Sequence, residues 1–169
     1  GEGGAGLLEV IYEGYGPGGA AVLVQALTDN RNRTTSEVRT HFTRHNSNLA
    51  EAGSVTWLFE RKGFLVIEGD DADREAMALL AADANAEDFK DEDGVLEVFT
   101  LPEDLESVRA ALQEQGARIA SSEVSLLPKT TVDLDQRAAQ QALRLLEGLD
   151  ELDDVQQVFT NANFPQDAL

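Results

Sequence analysis

Residues 64–126 alternate strand and helix signals in an order that few folds accept. FLVIE (64–68) is a short apolar, β-branched run bounded by polar residues, which predicts a strand. Residues 71–84 are alanine-rich, with Met77 and Leu80 on one face, and predict a helix. Residues 87–90 and 95–100 (VLEVFT) predict two strands joined across Asp93-Gly94, a strong hairpin signal. Thr100-x-x-Glu103, with Pro102 in the first turn, opens a second helix; Leu105, Val108 and Leu112 face inward and Gly116 closes it. Residues 118–126 alternate weakly and read as a last strand. The order β-α-β-β-α-β is the split βαβ of ferredoxin-like domains.

The flanks cannot stand alone. LLEVIY (7–12) and AAVLVQALT (20–28) predict a hairpin, and Thr34-x-x-Glu37 a capping box with a helix starting near Thr35. Val38, Phe42 and His45 share its stripe, and Asn46-Ser47-Asn48 end it. VTWLF (55–59) reads as a strand and Arg61-Lys62-Gly63 as a turn. Beyond Pro128, Asp133 is placed to cap a helix to about Glu147, with Leu134, Ala138, Leu145 and Leu146 apolar. VQQVFT (155–160) is a final strand and 161–169 a tail. A hairpin with one helix, or a helix with one strand, buries too little to fold by itself. Residues 1–62 are therefore expected to pack with 128–169, with 63–127 inserted: an α+β chain of two α/β-sandwich-like domains, the second ferredoxin-like.

YEGYGPGG (12–19) contains a literal G-x-G-x-x-G in Gly14, Gly16 and Gly19. A dinucleotide fingerprint needs a helix to begin at the last glycine, its amides facing the pyrophosphate. Here a β-branched run with Val22 and Val24 follows, and Pro17 lacks an amide hydrogen. The stretch reads as a hairpin with a wide, flexible loop.

Other chemistry is sparse. With no cysteine among 169 residues, disulfides and thiolate sites are excluded, as suits a reducing cytoplasm. No run approaches a membrane span and no secretory signal is visible. GEGGAG (1–6) reads as a linker, as in a piece of a longer protein. His41 and His45 stand at i, i+4, but Phe42 replaces the glutamate of H-E-x-x-H and no third ligand is evident. The acidic run 88–94 lacks the calcium-loop rhythm, and no G-x-S-x-G elbow occurs. Lys62-Gly63-Phe64 starts like the RNA-recognition signature, which then fails at Leu65 and Val66. No metal, cofactor or small-molecule substrate is called for, and the chain reads as a non-enzyme.

Charge gives the one pointer. The net charge is -19, which opposes general binding to a phosphate backbone. Residues 31–62 nevertheless hold six of the 13 basic residues (Arg31, Arg33, Arg39, Arg44, Arg61, Lys62) and three acids. That window stands at +3, against -22 for the other 137 positions.

YEGYGPGG (12–19), ALTDNRNRT (26–34), GSVTWLFERKG (53–63) and DDVQQVF (153–159) together resemble the YebC/PmpR family. Its members are described as DNA-binding transcriptional regulators; a mitochondrial member is a translational activator, and bacterial relatives are linked to ribosome function. The resemblance implies an N-terminal basic helical domain, outside this sequence, carrying most of the nucleic-acid affinity. Two α+β domains follow it, the last ferredoxin-like and inserted in the other. The sequence departs from the family at Asn46-Ser47 and at Ala50-Glu51-Ala52. The resemblance implies a cytoplasmic, non-enzymatic regulator of gene expression that binds DNA, or alternatively a ribosome-associated translation factor. Tyr15, Gly16 and Gly18 would then lie beside Asp29, Asn30, Arg31, Asn32 and Arg33 on one phosphate-binding rim, with Arg39, Arg44, Arg61 and Lys62 as further cations; the alternative is that Asp29 and the asparagines only build the turn and cap the helix.

Overall fold

The structure, a computed structural model, describes residues 6–168. The glycine-rich start read as a linker lies outside them, except for Gly6. The chain divides into two compact units, one holding the residues up to Glu60 and from Pro128 onward, the other Arg61–Leu127.

The first unit is built on a four-stranded antiparallel sheet in the order β3-β1-β2-β9. β1 (Leu8–Tyr15) and β2 (Ala21–Thr28) form the hairpin, with Leu8 opposite Thr28 and Tyr15 opposite Ala21. β3 (Asn48–Ala50) adds to β1, and β9 (Val155–Thr160) to β2 across a bulge at Gln25/Ala26. Val10 and Tyr12 of β1 and Val22, Val24 and Ala26 of β2 alternate onto one sheet face. There they meet Val38 and Phe42 of α1 (Arg31–Arg44) and Leu145 and Leu149 of α4 (Gln136–Asp150). A short parallel pair, β8 (Val132–Asp133) with β10 (Ala162–Asn163), closes the end near α4.

The second unit runs β4 (Phe59–Glu68), α2 (Asp71–Asp83), β5 (Asp88–Glu92), β6 (Val95–Thr100), α3 (Leu105–Glu114), β7 (Arg118–Pro128). Its sheet order, β5-β6-β4-β7, is that of a ferredoxin-like unit. Leu65, Ile67, Leu96 and Val98 on the sheet pack against Ala78 and Ala81 of α2 and Val108 and Leu112 of α3. The β5–β6 turn has both Asp93 (φ 55°) and Gly94 (φ 82°) left-handed, as a two-residue hairpin requires.

Four local expectations are corrected. α1 starts at Arg31, because the Asn30 side chain accepts the Arg33 amide at 3.1 Å and caps the helix four residues early. The segment expected as a strand at 55–59 is a tight turn at Thr56–Leu58, and β4 then continues straight through Arg61, Lys62 and Gly63. α4 is capped by Asp135, which accepts from the Ala138 amide at 2.8 Å, while Asp133 belongs to β8. The Thr100 hydroxyl donates to the Leu101 carbonyl at 2.7 Å instead of capping α3.

The glycine loop is also tighter than expected. The Gly16 amide donates to the Ala20 carbonyl at 2.8 Å and Gly19 to Gly16 at 3.0 Å. Gly14 is inside β1, where a Cβ would lie 2.5 Å from the Asn48 carbonyl oxygen and 2.7 Å from the Phe42 ring. Gly18 (φ 77°) sits under Leu134, which a Cβ would meet at 2.5 Å. These glycines answer to packing by α1 and α4. No described helix is long and apolar enough to cross a membrane.

Candidate nucleic-acid interface

The cations expected on one rim are distributed over several environments. Arg33 is held in a knot at the start of α1. Its Nη2 donates to Asp154 at 2.8 Å and Asp29 at 3.1 Å. Beneath it Thr34, fully buried, donates to Asp154 at 2.7 Å and contacts the Thr28 hydroxyl at 2.7 Å. Hydrogen bonds from Thr34 and then Arg33 hold the Asp154 carboxyl below its ordinary value. The adjoining cleft of about 660 Å³ is lined by Asp29, Glu37, Glu151, Asp153 and Asp154. Five carboxylates around one paired guanidinium repel phosphate, so Arg33 fastens α1 to the turn before β9.

Arg31 and Arg39 lie differently. They stand eight residues apart on α1 with Thr35 between them, which puts all three on one flank at helical spacing. That flank lines a cleft of about 590 Å³ whose other walls are β1, β3 and residues 51–52. Both arginines are exposed, and neither has a carboxylate within ion-pair distance among the described residues. Asn32 lines the same cleft, and the Tyr12 phenol meets the Thr35 hydroxyl at 2.8 Å, joining β1 to α1 at this point.

Two acids line the same cleft, Glu13 and the exposed Glu51, and of these Glu13 is already engaged. Glu13 is 5% exposed on β1. Its Oε2 accepts the Gly53 amide at 2.6 Å; its Oε1 accepts Val55 at 2.8 Å and Thr56 at 2.9 Å. Burial pushes this carboxyl up, but hydrogen bonds from the Thr56 side chain and from those three amides overrule it and hold it below 4.5. A carboxylate with three donors is a local anchor for the loop 51–58, and with Glu51 it balances the two guanidiniums of the cleft in formal charge.

Tyr15 and Gly16 are not on this rim. In a hairpin the connecting loop and the exit of the second strand lie at opposite ends, and Arg31 follows the exit at Thr28. Seven residues of strand separate Leu8, opposite Thr28, from Tyr15, roughly 23 Å of sheet. Gly16 packs beneath Leu145 of α4, 3.3 Å from where a Cβ would stand. Asn30 is occupied as the helix cap. Arg44 faces a smaller cleft of about 180 Å³ with His45, Asn46, Gln141 and Arg144. Arg61 and Lys62 belong to the second unit, where Lys62 pairs with Glu87. His41 and His45 stack with ring centres 6.4 Å apart, and the His45 Nδ1 meets the His41 carbonyl at 2.8 Å, so the rings do not converge on one point. Among the described residues no group of three or more His, Asp or Glu side chains could hold a metal ion.

Sequence reasoning missed Glu13, Tyr12, Thr35 and Arg144. Glu13 had a usable signal, a lone acid inside an apolar strand. Arg144 is brought to the cleft of Arg44 by folding alone.

The profile of the TACO1/YebC second and third domain matches residues 7–162. A "Probable transcriptional regulatory protein" of Pelotomaculum thermopropionicum is 49% identical over 161 residues, covering 94% of this chain and 66% of that one. One of the same description from Desulfosudis oleivorans is 48% identical, with 92% and 63% covered. The crystal structure of a conserved hypothetical protein of Aquifex aeolicus superposes with a TM-score of 0.87 at 44% identity, covering 98% of this chain and 68% of that one. The chain thus spans about two thirds of the length of such relatives. With the fold and the matched residues in agreement, the chain belongs to the TACO1/YebC family, matching its second and third domains.

Proposed function

We propose that the first unit contributes a phosphate contact to a non-enzymatic regulator of gene expression, through the cleft flanked by Arg31 and Arg39. The observation that carries this reading is the pair of exposed guanidiniums on one helix flank, neither paired with a carboxylate among the described residues, on a molecule of net charge -19. Guanidinium forks match phosphate geometry and hold a backbone without reading sequence. Curated relatives are named as probable transcriptional regulators, which favours promoter DNA as the partner and the cytoplasm as the place of action.

A second reading, a ribosome-associated translation factor, is favoured by the acidic body. A duplex lying along the first unit would meet the carboxylates around Arg33 as well as the cleft. A ribosomal partner could be touched at the cleft alone. Promoter-DNA shifts and co-sedimentation with ribosomes, both at about 0.15 M salt with the intact protein, separate the two. Binding to neither removes both. This 169-residue chain by itself is expected to bind duplex DNA weakly under those conditions; tight binding would contradict the charge argument.

A further inference from the structure

Trp57 is the only tryptophan of the chain and is 64% exposed. A residue that buries 150–250 Å² in a typical core is here left outside it, roughly the largest apolar side chain the fold could have used. It is nevertheless fixed in place. Its Nε1 donates to the Ser54 carbonyl at 2.9 Å, so the one polar atom of the indole is satisfied and the ring's carbon surface is what stays free. The backbone beneath it is pinned by the Glu13 carboxylate through the Val55 and Thr56 amides, and by the Leu58 amide donating to the Val55 carbonyl at 2.9 Å. The ring is therefore held ready, and ordering it on binding costs little.

The same loop borders the cleft of Arg31 and Arg39. Glu13, Glu51 and Ala52 line the space beside Arg31 and Arg39, and residues 53–57 continue from that wall. A loop with two exposed guanidiniums across the cleft at one end and a fixed, exposed indole at the other fits a strand with unpaired bases: guanidiniums take its phosphates and the indole takes a base face. A duplex has its base faces stacked on each other and offers the indole none.

We propose that Trp57 is a stacking platform for an unpaired base of a single-stranded nucleic acid whose phosphates lie in the Arg31/Arg39 cleft. This rests on the phosphate reading of that cleft.

Trp57 emission reports stacking directly. The chain is titrated at about 0.05 M salt with an unstructured RNA of about ten nucleotides, the same sequence as single-stranded DNA, and its duplex. Oligonucleotide anisotropy and Trp57 emission are followed together. Single strands quench the emission, and Trp57→Ala weakens their binding about tenfold, with Trp57→Phe recovering part. Duplex binding is unchanged by Trp57→Ala. Preference for RNA would give the 2′-hydroxyl a part in recognition and equal binding would leave it to base and phosphate; either supports the platform. Single strands that bind in an Arg31- and Arg39-dependent way without quenching, and equally to Trp57→Ala, would overturn the platform and leave the phosphate reading intact. If no oligonucleotide responds to Arg31→Ala/Arg39→Ala, both fall.

Discussion

Glu13 and Gly14 are neighbours on β1 that act in opposite ways, one through a charge and the other through the lack of a side chain. The Glu13 carboxylate is buried yet ionised, because three amides and a hydroxyl of the facing loop replace its water. Its folded pKa is lowered, so its stabilising contribution is complete above the ordinary value of 4.5 and is lost as pH falls through the lower folded value. An acid titration of Trp57 emission should therefore show the loop loosening below about pH 4.5, with no counterpart between neutral pH and that point. Glu13→Gln sets a donor against the loop's own donors and should reduce stability by about 3 kcal/mol in urea unfolding. Gly14→Ala forces a methyl to 2.5 Å from the Asn48 carbonyl and against Phe42, with an expected loss of about 2–3 kcal/mol. A neutral result there would mean that β3 can shift away from β1.

At the scale of the element, α1 separates its cations by face. The flank carrying Arg31 and Arg39 opens on a cleft, whereas Arg33 points at Asp29 and Asp154. Replacing Arg31 and Arg39 together with alanine in the intact protein should lower the slope of log affinity against log salt for duplex DNA by about 2, without moving the melting midpoint. Arg33→Ala should do the reverse, lowering the midpoint and leaving the slope. Identical behaviour of all three would return them to one shared rim. The sequence could not make this distinction. The three arginines occur within nine residues and look equivalent until Asp154, 121 positions away from Arg33, takes one of them.

Over the whole molecule, the two halves of the first unit meet at the ends that flank residues 61–127, with the Lys129 amide donating to the Leu58 carbonyl at 2.9 Å. We propose that residues 61–127 form a separable inserted domain. Replacing them with a short glycine linker should leave the first unit folded, judged by near-ultraviolet dichroism of Trp57 and a single cooperative urea transition. A molten product would show that the first unit needs the second for stability. Net charge belongs to this scale as well, since -19 sets the background against which any exposed guanidinium must attract a phosphate.

Periodicity, turn residues and apolar runs act within a few residues, so the sequence by itself settled the α+β class, the β-α-β-β-α-β order of residues 64–126 and the rejection of the G-x-G-x-x-G as a phosphate loop. Asn30 taking the cap from Thr34, and β4 running through Arg61-Lys62-Gly63, lay within its reach but depended on choosing between near-equal local signals. Only the tertiary structure decided the rest. Tyr15 and Arg31 stand at opposite ends of a hairpin, Glu13 reaches across to Gly53, Val55 and Thr56, and Asp154 neutralises Arg33. Each depends on which distant segments meet, and charges in a list carry no distances.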